Sequence, residues 1–257
     1  MPPQTQCNIP ARPMVAFALT LGIATFAYAY QISIDEGWIV YPYYFLSSAI
    51  NYSPASNVGS FGLSIALFLI PPLAFVRHVQ LAEKIEDDQR VLKILNKVSL
   101  WSALISAIGG HGVAAWQASA NVQIHLFFAG VFFAFTLFIA VIQVVLDYKC
   151  KVTGLGARLR QINAVLALGS LGTMAIQGLL VLIKYDIRNV PRSWIFPMSM
   201  FELIFVGASL GVYATFFPDF KGLNITLSVT KQQGSGQAEI NFEERGGKNR
   251  SDSMNSV

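Results

Sequence analysis

Six apolar stretches, each long enough to cross a bilayer, hold among them one carboxylate (Glu202), two histidines (His111 and His125) and no lysine or arginine. They run over 14–32, 58–76, 98–117, 122–146, 161–183 and 194–217. A hydrocarbon core about 30 Å thick needs about 20 helical residues. Backbone polar groups in lipid must be satisfied within the segment, so such stretches fold as helices. The expected fold class is all-α: a polytopic membrane protein with a six-transmembrane-helix bundle over 14–217. Residues 1–13 form a short N-terminal segment and 218–257 a tail. Of the 257 residues 54% are hydrophobic and 12% charged, about half the charge of an average soluble protein. Short loops leave no room for a separate soluble catalytic domain.

Orientation follows from the distribution of lysine and arginine, which concentrate on the cytosolic side of membrane proteins. The N-terminal side of the spans collects 15 of the 18 basic residues, including Arg12, Arg77, Lys97, Lys149, Arg158 and Arg160; the other side has Lys184, Arg188 and Arg192. Both termini are therefore expected in the cytosol. Basic residues beside spans suit anionic lipid, so the +4 net charge does not point to nucleic acid. Arg12, the apolar run and Ala27-Tyr28-Ala29 superficially match a signal peptide, but the run is too long for one. Cys7 and Cys150 both fall on the reducing side, which argues against a disulfide. Cys150, just below the fourth span, is a candidate for palmitoylation.

The first outer loop, 33–57, carries Trp38, Tyr41, Tyr43, Tyr44 and Phe45, rings that suit the headgroup layer. It also holds the sequon Asn51-Tyr52-Ser53, a candidate glycosylation site. The sequons at Asn224 and Asn249 fall on the cytosolic side and are expected to be silent. Between the second and third spans, Arg77–Lys97 reads as two protruding helices joined near Asp87-Asp88, with a helical Glu86–Arg90 pair. Pro71-Pro72 should kink the second span by removing backbone donors. The tail, rich in Gly, Gln and Ser, is expected to be disordered. Small residues recur at Ser102, Ser106, Gly110 and Ala114, at Gly169 and Thr173, and at Gly207 and Gly211; such stripes let helix backbones approach closely. Packing within the chain is the default, with a homodimer through Gly207/Gly211 as the alternative.

The polar residues within the spans gain meaning from their depth. His111, His125, Gln177 and Glu202 all fall in the outer half of the bilayer. Glu202 lies nine residues past Ser193, roughly 13 Å deep at about 1.5 Å per residue. An ionisable group at that depth normally faces the bundle interior and a partner, so Glu202 is expected to pair with His111 or another of these groups beneath the first outer loop. These four residues form a candidate outer-leaflet polar pocket, either a structural hydrogen-bond set or a site for a lipid headgroup. No serine nucleophile elbow, phosphate loop or Cys-x-x-Cys pair is visible, and three histidines make no convincing zinc site. No metal or other cofactor is expected.

Gly109-Gly110-His111-Gly112-Val113-Ala114-Ala115-Trp116-Gln117, then Ile124-His125-Leu126-Phe127-Phe128-Ala129-Gly130 and Gln143, resemble the central signature of the DRAM/FRAG/SFK superfamily. The outer-loop run Pro42-Tyr43-Tyr44-Phe45-Leu46-Ser47-Ser48, with Pro54 and Phe61-Gly62, is similar to that family's first loop. Many relatives carry Ser-Asp-Thr-Gly there, replaced here around Leu46-Ser47-Ser48-Ala49, so no role of that aspartate carries over. The resemblance covers roughly 14–217 and implies six spans with both ends cytosolic. It also implies a range of roles, among them lysosomal autophagy modulation, recruitment of a phosphoinositide kinase at the plasma membrane, and lipid remodelling of glycosylphosphatidylinositol anchors.

The leading expectation is a non-enzymatic protein of lysosomal, endosomal or plasma membranes. It would act through membrane lipids in the outer half and through a protein partner at the Arg77–Lys97 loop or tail. The rivals are a lipid-modifying enzyme using His111, His125 and Glu202, a kinase-recruiting scaffold, and a small transporter, the last disfavoured by the scarcity of polar residues on the spans.

Overall fold

Each apolar stretch becomes a helix, and most of the helices outrun their stretch. A computed structural model describes residues 5–39, 45–185, 191–231 and 238–243. After strand β1 (Thr5–Pro10) come α1 (Ala11–Asp35), a 3-10 helix (Leu46–Ile50), α2 (Ala55–Phe68) and α3 (Ile70–Ala82). Then follow α4 (Arg90–Ala115), α5 (Val122–Lys149), α6 (Leu155–Lys184), α7 (Arg192–Ala214) and the short α8 (Phe216–Asp219). Strands β2 (Asn224–Lys231) and β3 (Ala238–Glu243) close the chain. Six helical units are long and apolar enough to cross a membrane, with α2 and α3 together forming one and α7 with α8 another.

The second crossing breaks at Leu69, between Phe68 and Ile70, and Pro71 and Pro72 occupy the first turn of α3. Proline costs nothing there, because first-turn N–H groups have no intrahelical acceptor. The helix is interrupted beside this pair, at Leu69, whose backbone stays in the right-handed helical region. The expected joint near Asp87-Asp88 is also present, as a turn between Ala82 and Arg90. Glu86 sits in that turn and not on a helix, so the helical Glu86–Arg90 pair does not form. Asp87 takes the ionic role and accepts from Lys93 Nζ at 2.6 Å. Leu81, Ile85 and Leu92 bury themselves with Leu146 beneath the turn.

An even number of crossings returns the chain to its starting face, and a sheet records this. β1 runs antiparallel to β2, from Thr5 opposite Val229 to Pro10 opposite Asn224. β2 in turn pairs with β3. The Ala11 N–H donates to the Leu223 carbonyl at 3.2 Å, where sheet gives way to helix. The tail is thus not disordered over 224–231 and 238–243. Its alternation, Ile225-Thr226-Leu227-Ser228-Val229, is a strand pattern that the polar composition obscured. Residues 40–44, 186–190, 232–237 and 244–257, with Tyr41, Tyr43, Tyr44, Arg188 and the Asn249 sequon, lie outside the described residues.

Small residues do their work inside the bundle. Ser102, Ser106, Gly110 and Ala114 are all buried, and Ser106 and Thr136 share a hydrogen bond of 2.6 Å between α4 and α5. A Cβ on Gly109 would lie 2.6 Å from the Phe132 backbone nitrogen, and one on Gly112 would enter the Phe128 ring. Gly211 is used in the same way, since a Cβ there would meet the Asn163 side chain on α6. Gly207 has open space around it. Large apolar side chains such as Phe61, Phe68, Trp101 and Ile183 point outward, as lipid solvent permits.

Candidate functional site

The half of the bundle away from the termini is organised by a buried carboxylate. Glu202 on α7 is 6% exposed, and its Oε2 accepts from the Leu46 N–H at 2.6 Å. Leu46 is the first residue of the 3-10 helix, whose leading N–H groups have no acceptor of their own. Ala49 and Ile50 of that helix are buried, and the Ala49 carbonyl accepts from Ser33 Oγ at 2.7 Å. Glu202 therefore pins the first loop onto the bundle across 156 positions of sequence. Glu202→Ala orphans that N–H and is expected to destabilise the fold by about 1–3 kcal/mol. Glu202→Gln keeps an acceptor and should lose less, as read by thermal unfolding in detergent.

No hydrogen bond links the four expected pocket residues to one another among the described residues. His111 is half-buried on α4 and makes no hydrogen bond to Glu202. His125 is buried, and its Nδ1 donates to the Trp116 carbonyl at 2.7 Å, tying the α4–α5 turn together. The Oε1 of Gln177 is buried without a partner among the described residues. In place of one polar pocket, the structure has a crevice of about 510 Å³ between α1 and α7. Ile23, Tyr30 and Gln31 of α1 and Ser199, Leu203 and Gly207 of α7 line it, together with Leu46 of the 3-10 helix. Glu202 stands directly behind that lining, between Phe201 and Leu203. Beside it an apolar cavity of about 120 Å³ lies among α1, α2, α3, α4, α5 and α7.

At the termini face stands a second constellation, in which Arg77, Asp147 and Arg160 are buried and Asp219 is 17% exposed. Asp147 on α5 receives Arg77 Nη2 at 2.5 Å and Arg160 Nε at 2.6 Å, one on each carboxylate oxygen. Asp219 on α8 receives Arg160 Nη1 at 2.6 Å and Arg77 Nη1 at 3.3 Å. Two arginines and two aspartates balance, so no net charge is buried. Gln80 and Gln143 accept from Arg77 at 2.6 and 3.1 Å, and Thr215 Oγ accepts from Arg160 at 2.8 Å. Gln143 donates onward to Ser99 Oγ at 3.0 Å. This network ties α3, α4, α5, α6, α7 and α8 together. Its charges compensate one another across four helices, which identifies it as a clamp, and Arg160 Nη2 is its one buried donor without a partner among the described residues.

A family model described as the Frag1/DRAM/Sfk1/Cwh43P N-terminal domain matches residues 11–223. The chain belongs to this family. Neither a curated protein nor a solved structure matches it. The family domain takes in every membrane-crossing helix, the crevice and the arginine–aspartate clamp, and ends between Leu223 and β2. In this Frag1/DRAM/Sfk1 member the terminal sheet therefore lies just outside the family domain.

The clamp is what reading the sequence of this family member missed. Arg77, Asp147 and Arg160 each stand one residue outside a hydropathy-defined span, and Asp219 two outside. Each looked like a solvated loop charge. The available signal was that two acids and two bases sit at the same end of four spans.

The modification candidates on the family domain are placed as follows. Asn51 accepts from the Ser119 N–H at 2.8 Å through its side-chain oxygen, which docks the sequon against the α4–α5 turn. Cys150, at the end of α5, is a free thiol packed beside Leu146. Burial is the main influence raising its pKa, so less thiolate forms at neutral pH. In a Cys7→Ser background, Cys150 alkylation is expected to be slow near pH 7.5. It should accelerate only at a higher pH than a free surface thiol requires, as timed by maleimide mass shift.

Proposed function

We propose that this protein is a non-enzymatic membrane regulator that takes up a membrane lipid in the crevice between α1 and α7. The observation that carries the reading is the crevice itself. Its volume of about 510 Å³ falls within the range of ligand sites, about 300–1,000 Å³, which are mostly apolar with a few placed polar groups. Here the polar groups, Gln31 and Ser199, sit at the outer end, and the apolar walls continue inward. That polarity matches an amphiphile standing in the outer leaflet. The open space at Gly207, about 12 Å along α7 from Ser199, keeps the crevice free partway in, which is a reason for glycine there other than a homodimer contact.

Charge asymmetry supports termini in the cytosol. The turn at 83–89 and the terminal sheet then face a cytosolic protein partner, and the family supports lysosomal, endosomal or plasma membranes as the setting. Autophagy control and kinase recruitment are the two regulatory outputs that fit such an arrangement.

The test is lipid retention. Protein purified in mild detergent and transferred to nanodiscs is expected to retain lipid at defined stoichiometry by native mass spectrometry, and Gly207→Trp is expected to abolish it. The non-enzymatic reading fails if labelled lipids are chemically converted by the wild type and not by Glu202→Gln or His111→Ala.

A further inference from the structure

We infer that the crevice and the central cavity act together as a measuring slot for one acyl chain, with the chain's methyl end seated in the central cavity. This deepens the lipid reading above and rests on it. Three residues, Phe26, Val206 and Leu210, belong to the linings of both spaces. The two spaces therefore adjoin across these side chains. On α7 the combined lining runs from Ser199 to Tyr213, roughly 21 Å at about 1.5 Å per residue. That exceeds half of a hydrocarbon core about 30 Å thick, so a chain entering at Gln31 and Ser199 ends beyond the midplane.

The inner space suits hydrocarbon. Thr136 and Ser209 lie on its wall, but their hydroxyls are already bonded to Ser106 and to the Phe205 carbonyl at 2.6 and 2.7 Å. An apolar cavity of about this size stays dry and takes up small apolar guests, since water finds too few partners in it. Tyr213 also lines it, and its buried hydroxyl has no partner among the described residues. One lone hydroxyl does not hold a water that needs two to four bonds. The outer crevice accepts any chain; the inner cavity rewards only a chain long enough to reach it. The consequence is selection by chain length.

The probes are lysophosphatidylcholines with 10-, 14- and 18-carbon chains carrying a diazirine at the chain end, with matching free fatty acids as a second arm. Both share the chain; binding of either supports the inference, and the tighter binder names the source. In the full-length protein, chain-end crosslinks of the 18-carbon probe are expected on Leu67, Val113 or Thr136, and those of the 10-carbon probe on the crevice wall. The longest chain should bind at least tenfold tighter than the shortest. Leu210→Trp, which narrows the junction, and Gly22→Leu, which fills the cavity from α1, should each erase that preference while short-chain binding persists. Tyr213→Phe should leave it unchanged, and a loss there overturns the inference in favour of an oxygenated guest. Crosslinks confined to the crevice at every length overturn it while leaving the lipid reading standing. Absence of binding by any probe, unaffected by Gly207→Trp, sinks both. If neither blocking variant folds, the wild-type crosslinks decide alone.

Discussion

Asp147→Ala is expected to be the most damaging single substitution at the termini face, costing about 3–5 kcal/mol, because it leaves a buried cation uncompensated. Arg77 and Arg160 would then share Asp219 alone, with side chains 2% and 0% exposed. Thermal unfolding in detergent, followed by monodispersity on size exclusion, measures the loss. The companion experiment is Asp147→Leu with Arg160→Met. It removes one charge of each sign and leaves Arg77 facing Asp219 at 3.3 Å. Replacing a buried pair by apolar residues is often neutral, whereas breaking one is not. The double variant should therefore be more stable than Asp147→Leu alone. If the two losses simply add, the four groups are not one clamp.

The second large effect belongs to the α4–α5 seam. Gly109→Leu forces a Cβ to within 2.6 Å of the Phe132 backbone nitrogen, and a backbone atom cannot swing aside as a side-chain tip does. Overpacking typically costs about 1–3 kcal/mol, and this contact belongs at the upper end. Gly130→Leu, on the facing helix with open space around its position, should fold like the wild type. Cross-linking of engineered cysteines on α4 and α5 reads the separation directly, and equal behaviour of the two variants would discard the close-approach argument.

The fold was legible where lipid imposes it. Hydropathy located all six crossings, and proline placed the break at Leu69. Hydropathy cannot see that hydrogen-bonded backbone continues past the last apolar residue. α3, α5 and α6 carry Arg77, Asp147 and Arg160 into protein surroundings, so these residues were counted as loop charges. Neutral only as a group, they reveal themselves through pairing and not through any single position. The half away from the termini was legible as a region but not as a constellation. Glu202 is buried with a partner, as an ionisable group within a span should be, but that partner is a backbone N–H in a loop, which no side-chain pattern encodes. The crevice escaped notice for the same reason: a gap between α1 and α7 is a property of helix placement.

The pairing of β1 with β2 makes the two ends of the polypeptide mutually dependent. A deletion meant to remove the tail strips β1 of its only strand neighbour among the described residues, so it also alters Thr5–Pro10. Truncation after Glu243 and truncation after Leu223 are thus different operations: the first spares the sheet, and the second dissolves it. An affinity tag carries the same asymmetry. Added after Val257 it joins the chain beyond the strands, while fused directly ahead of Thr5 it extends a strand edge.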